Sequence, residues 1–111
     1  MCGIGGHFGR PVGPEVRARM MAALANRGPD AQHRAVFGAD GARLDDGATG
    51  PHGLVHARLS IIDPRPEADQ PFGSDDGAVW ICYNGEVYGW KPEAEALAAG
   101  GVRFRTRSDT E

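Results

Sequence analysis

Glycine and proline fill 25 of the 111 positions, 17 and 8 respectively, and they are spread along the whole chain. At that density no helix or strand can run long, because each proline removes a backbone donor and each glycine adds chain freedom that an ordered element must overcome. The apolar content does not compensate. Of the 45 residues counted as hydrophobic, 16 are Ala, while Val, Ile, Leu and Phe together number 20. The expected molecule is a single turn-rich unit with a small core. Its composition approaches the level of about 25–30% Gly and Pro at which disorder becomes a fair expectation, but its apolar runs are too regular for that.

Those runs alternate between two periods. Gly3 to Phe8 is short, apolar and glycine-rich, as a strand is where a neighbour comes close. Pro14 opens a helical pattern in which Val16, Met20, Met21 and Leu24 recur on one face and Arg17 and Arg19 point away. The stop Asn26-Arg27-Gly28-Pro29 ends this helix near Ala25. Residues 38–53 read as a loop, Leu54 to Ile62 as a strand running into a turn at Asp63-Pro64, and Val79 to Tyr83 as a strand entered from the turn Ser74-Asp75-Asp76-Gly77. These last two strands are candidates for neighbours. A helix is expected from Pro92, with Ala94, Leu97 and Ala98 on one face and Gly100-Gly101 as its stop, then a strand over 102–105. The polar quartet Ser108-Asp109-Thr110-Glu111 follows directly, which reads as a domain cut short.

Charge narrows the partners. The formal net charge is −3 with no run of Lys or Arg, so the chain offers no electrostatic footprint for nucleic acid or an anionic membrane. No apolar stretch approaches the roughly 18 residues of a membrane span, and a cytoplasmic location is expected. Cys2 and Cys82 form no CxxC pair and no histidine has metal-site spacing to either, so neither a zinc site nor a disulfide scaffold is expected. Gly3, Gly5 and Gly6 do not make a dinucleotide fingerprint, because Phe8 stands where the third glycine belongs.

Cys2 is the most informative residue. Met1 is generally removed when the next side chain is small, and removal leaves Cys2 with a thiol and a free α-amine together. An α-amine titrates at about 7.7–8.0, so part of it is neutral at pH 7 and able to take a thiol proton. Such a cysteine needs no histidine partner. Gly3, Gly5 and Gly6 would let backbone approach it, and Ile4 and Phe8 at alternating positions argue against a frayed tail. The alternative is an incidental residue at a terminus. Asn84-Gly85 likewise reads in two ways, as an oxyanion trap or as a type I′ hairpin turn. His7, His33, His52 and His56 are expected to be structural, and Cys82, between Ile81 and Tyr83, a small buried apolar residue.

Met1-Cys2-Gly3-Ile4-Gly5-Gly6 resembles the start of class II glutamine amidotransferases, the N-terminal-nucleophile glutaminases. Asn26 to Asp30, His56 to Asp63, Tyr83 to Tyr88 and Ser108 to Glu111 agree in order, so the resemblance covers the whole chain. The wording Arg27-Gly28-Pro29-Asp30 and Arg58-Leu59-Ser60-Ile61-Ile62-Asp63, with Gln70-Pro71-Phe72 after it, is that of glutamine-hydrolysing asparagine synthetases. The resemblance implies an α+β fold, the first part of the four-layer αββα sandwich, with residues 1–111 a partial amidotransferase domain. It implies glutamine hydrolysis through a Cys2 thioester, with Asn84 and Gly85 at the oxyanion. Arg58 through Ile62 (Leu59, Ser60 and Ile61 between them) would hold the α-carboxylate, and Asp109 with Glu86 the α-ammonium. Arg58 suits its role because a guanidinium fork pairs bidentately with carboxylate. No metal ligand or cofactor is implied in this chain; ATP and Mg²⁺ would belong to a downstream synthetase domain that makes asparagine, and a homodimer is among the expected assemblies. Asn26, Ala57 and Gly89-Trp90 depart from the usual family wording. They leave open an acceptor other than aspartate, while the 20 large aliphatic and Phe residues and the stop at Glu111 leave open a fragment without activity.

Overall fold

The computed structural model describes residues 1–111. Its centre is an antiparallel sheet of four strands, β1 (Gly3–His7), β2 (Ala31–Phe37), β3 (Arg43–Leu44) and β4 (His52–Arg58), in the spatial order β1-β4-β2-β3. β1 pairs with β4 from Gly3↔Ala57 to His7↔Gly53, and β2 pairs with β4 from Ala31↔Arg58 to Phe37↔His52. The Gly3 and Leu54 runs therefore share one sheet. The helix α1 (Pro14–Leu24) packs on β1 and β4. A second, two-stranded sheet joins β5 (Phe72–Gly73) to β6 (Trp80–Ile81), and a helix α2 (Trp90–Ala99) follows. The molecule is thus mixed α and β, with antiparallel sheets.

Glycine makes the close packing of α1 possible. A Cβ on Gly3 would lie 3.0 Å from Leu24 Cδ2, and one on Gly5 would lie 3.3 Å from Met20 Cε. Side chains, those of Leu24 and Met20 among them, occupy that space at Gly3 and Gly5, while at Gly6 the expected backbone comes close, with Gly53 O 3.1 Å from a Cβ placed there. The stripe facing the sheet is Arg17, Met20, Met21 and Leu24, and Val16 is exposed. Arg17, expected to point away, is fully buried: its guanidinium donates to Val12 O at 2.5 Å, to Asp46 O at 3.3 Å and to Ala48 O. The Asp46 and Ala48 carbonyls have no backbone donor there, and a long cationic fork answers both at once.

Other expectations are corrected. Residues 31–37 form a strand that polar Gln32, His33 and Arg34 conceal in the sequence; only Ala35, Val36 and Phe37 are buried. The 38–53 loop contains β3, which returns against β2 through a turn with Gly41 at φ 81°. The 54–62 strand starts earlier and ends at Arg58, leaving Leu59 to Ile62 free of the sheet. Residues 102–105 form no strand; Glu111 accepts the N–H groups of Arg105 and Thr106 instead. α2 begins two residues before Pro92, after Gly89 at φ 74°, and none of its residues is buried. β6 pairs with β5 rather than with β4.

Candidate active site

The Arg27-Gly28-Pro29-Asp30 segment is folded against the end of β4. A Cβ on Gly28 would fall 2.2 Å from both the carbonyl carbon and oxygen of Ala57, so only glycine fits. From that position Arg27 Nε donates to Cys2 O at 3.1 Å, and Asp30 Oδ2 accepts the Ser60 N–H at 2.7 Å. The two ends that matter, β1 at Cys2 and β4 at Arg58, are thereby tied to one loop. In the sequence Arg27 reads only as part of a helix stop and of a family motif; its contact with Cys2 depends on the fold.

The Cys2 thiol lies beside the first residue after β4. Leu59 N–H points at Sγ from 3.3 Å, and Sγ is 3.7 Å from Leu59 O. Cys82 is in a different situation: its thiol lies 3.8 Å from Val55 O, and burial pushes it up to about 12, far from a reactive thiolate.

Arg58 is buried, with 6% of its side chain exposed, and its fork is busy. Nη1 donates to Asp69 Oδ1 at 2.7 Å and to Arg65 O at 3.0 Å, and Nη2 donates to Ile62 O at 3.0 Å and to Asp63 O. These bonds curl residues 62–65 around the guanidinium, which holds Asp63 in the left-handed region at φ 44°. Asp63 in turn is clasped by Arg65 Nε and Nη2 at 2.7 and 2.6 Å, which holds its carboxyl well below the usual range. Asp69 is shared with His33, whose Nε2 is 3.0 Å from Oδ2.

Tyr83 to Val87 form the opposite wall. Asn84 and Gly85 are not a hairpin turn: neither has positive φ, which a type I′ turn needs at both, and no strand follows them. Asp109 Oδ2 accepts the Val87 N–H at 2.8 Å, while its other oxygen makes no hydrogen bond within the chain. His56 is almost fully buried behind this wall, its Nε2 3.4 Å from Tyr83 O, and burial keeps its imidazole below the usual histidine value, hence neutral at pH 7.

Between the walls lies a cleft of about 370 Å³, within the range of small-molecule sites. Cys2, Arg58, Leu59, Ile61, Ile62, Asn84, Gly85, Glu86 and Asp109 all line it; Ser60, turned toward Asp30, does not. Gln70, Tyr83 and Thr110 line it as well and had not been singled out. No cluster of three or more His, Cys, Asp or Glu side chains is arranged to hold a metal ion. No helix is long and apolar enough to cross a membrane.

A family model described as a glutamine amidotransferase domain matches residues 1–111. The chain belongs to that family. It is 35% identical, over all of its length, to asparagine synthetase [glutamine-hydrolyzing] 1 of Bacillus subtilis, of which it covers 16%. It is 45% identical to asparagine synthetase [glutamine-hydrolyzing] 2 of Arabidopsis thaliana over 52% of this chain and 10% of that protein. Amidase chry2 of Gibberella zeae is 36% identical over 79% of this chain and 12% of its own length. The chain therefore spans less than a fifth of the length of these relatives and is homologous to the glutamine amidotransferase part of the synthetases. No solved structure matches it.

Proposed function

We propose that the chain hydrolyses glutamine to glutamate and ammonia through a thioester on Cys2, in the sandwich architecture of N-terminal-nucleophile hydrolases. The observation that carries this reading is the shared cleft, in which the Cys2 thiol meets a backbone N–H on one side while Asn84, Gly85 and Asp109 line the same space. Once Met1 is removed, the α-amine of Cys2 takes the thiol proton and sulfur attacks the side-chain amide carbon of glutamine. The charge that develops on the amide oxygen is met by the Asn84 side-chain N–H and the Gly85 backbone N–H; in other acyl-transfer enzymes one such donor is worth roughly 100- to 1000-fold. Collapse breaks the C–N bond, and ammonia leaves with the proton held by the amine. Water then gives a proton to the amine, attacks the thioester carbon, and glutamate departs as sulfur regains its proton.

Substrate recognition divides between the walls. Arg58 and the backbone around Leu59, Ile61 and Ile62 receive the α-carboxylate, which displaces Asp69, the partner of like chemistry, from the guanidinium fork. The uncommitted oxygen of Asp109, with Glu86, receives the α-ammonium. Ser60 supports this wall through its bond to Asp30.

The similarity to asparagine synthetases supports passing the ammonia to a synthetase domain of a longer polypeptide, which activates aspartate with ATP and Mg²⁺; a cytoplasmic location and a homodimer belong to the proposal without support from that similarity. The carboxylates of this chain do not gather into a cation site, and no step here runs through either group. ATP binding by residues 1–111 would count against this division. The decisive experiment measures glutamate release beside the mass of the N-terminus. Cys2→Ala and an N-terminal extension that retains Met1 both abolish glutamine hydrolysis, whereas Cys82→Ser keeps most of it. Full turnover by protein that demonstrably retains Met1 would overturn the mechanism.

A further inference from the structure

Residues Tyr83 to Val87 form no backbone-to-backbone hydrogen bonds, although they carry both proposed oxyanion donors. Side chains alone hold the segment. Gln70 Oε1 accepts the Tyr83 N–H at 2.5 Å, His56 Nε2 reaches Tyr83 O at 3.4 Å, and Asp109 Oδ2 accepts the Val87 N–H at 2.8 Å. Tyr83 is gripped at both its backbone N–H and its carbonyl, immediately before Asn84. Of these three side chains Gln70 has the widest reach: it is buried, with 6% exposure, and its Nε2 donates to Thr110 Oγ1 at 3.1 Å, beside Asp109.

We infer that Gln70 is a positioning residue for glutamine hydrolysis, its buried amide fixing the Asn84–Gly85 donors and tying them to the Asp109–Thr110 wall. This rests on the glutaminase reading above. The chemistry of the amide suits the task. Its oxygen satisfies a backbone donor and its NH₂ satisfies a hydroxyl, so one neutral group bridges two loops without placing a charge beside the developing oxyanion. The cost of misplacing such donors falls on the transition state rather than on substrate binding, because the oxygen acquires its full charge only there.

The test compares kcat and KM for glutamate release, in the intact polypeptide with Met1 removed, for Gln70→Met, Gln70→Glu and Asn84→Ala. Gln70→Met, close in shape but without polar atoms, should lower kcat about 10-fold or more and leave KM within about threefold. Gln70→Glu keeps an acceptor for Tyr83 N–H and another for the Thr110 hydroxyl but adds a charge beside the developing oxyanion, so it should recover only part of the lost kcat. A merely structural role would lower the melting temperature of both variants and leave kcat of the folded fraction alone. If Gln70→Met does not fold, Gln70→Asn, whose amide stops one methylene short of Tyr83, carries the same expectation. Wild-type kcat in Gln70→Met or Gln70→Asn, with Asn84→Ala impaired 100-fold or more, overturns the role of Gln70 and leaves the site intact. Wild-type kcat in Asn84→Ala overturns the site itself.

Discussion

The sheet side and the loop side of the cleft are built by different means. Cys2 and Arg58 flank the ladder that joins β1 to β4, and the Gly28 segment presses on that end so closely that no side chain could stand there. Across the cleft, Asn84 and Gly85 lie in a segment with no ladder, held by Gln70, His56 and Asp109. Beyond it α2 buries nothing. The nucleophile is thus placed by backbone pairing, which is cooperative and hard to perturb locally, while the donors facing it are placed by individual side chains. Such a wall opens at lower cost than the sheet does.

The contrast can be broken at its strongest point. Gly28→Ala should cost about 3 kcal/mol or more in chemical unfolding, since its Cβ would collide with the Ala57 carbonyl. Gly89→Ala is the matched control on the loop side: its φ is 74° but the space around it is open, so it should cost only about 1 kcal/mol. Equal losses at the two positions would erase the proposed difference.

Arg17→Met tests whether the sheet side owes its order to burial alone. The aliphatic stem is replaced, but the carbonyls of Asp46 and Ala48 lose their donor and that of Val12 keeps only the Gly50 N–H. A loss of about 2–3 kcal/mol is expected, read from the urea midpoint at constant m-value.

A pH series sharpens the comparison further, because His7 and His56, one near each side, are both held below the ordinary histidine value of 6.5, chiefly by burial. Below about pH 6.5 the unfolded chain takes up protons that the folded chain refuses, so stability falls as the pH drops through that value. A separate decline should follow below the ordinary carboxylate range, where Asp63 must be protonated against Arg65. Urea midpoints that stay flat from pH 7.5 to 5.5 would contradict the first step, and His56→Leu should shrink it.

The smallest effect belongs to α2. Leu97 is 46% exposed, and Leu97→Ser should change stability by less than about 0.5 kcal/mol, as measured by thermal melting. A larger loss would mean that α2 is buried in the molecule as it exists in solution.

Much of this was legible in the residues themselves. The 3.6-residue recurrence around Met20, Met21 and Leu24 marks α1, glycine and proline mark its ends, and Cys2, Arg58, Asn84, Gly85 and Asp109 stand out in the sequence through the motifs that contain them. What stayed hidden needed long-range pairing. The strand over 31–37 carries polar residues on its exposed half, so its alternation is masked, and only β4 beside it supplies the partner groups that make it a strand. Arg17 reads as a solvent-facing charge until the 45–50 loop brings unpaired carbonyls over it.

Sequence by itself determined which chemical groups this chain possesses and which short segments favour turn, helix or strand, because those preferences act within a few residues. Only the tertiary structure decided that Arg27 would touch Cys2, that Asp69 would occupy the Arg58 fork, and that Gln70 would hold the Tyr83 peptide. Each of those contacts joins residues 11 to 25 positions apart. A buried donor or acceptor must find a partner wherever the fold delivers one, and neighbours along the chain do not specify which it will be.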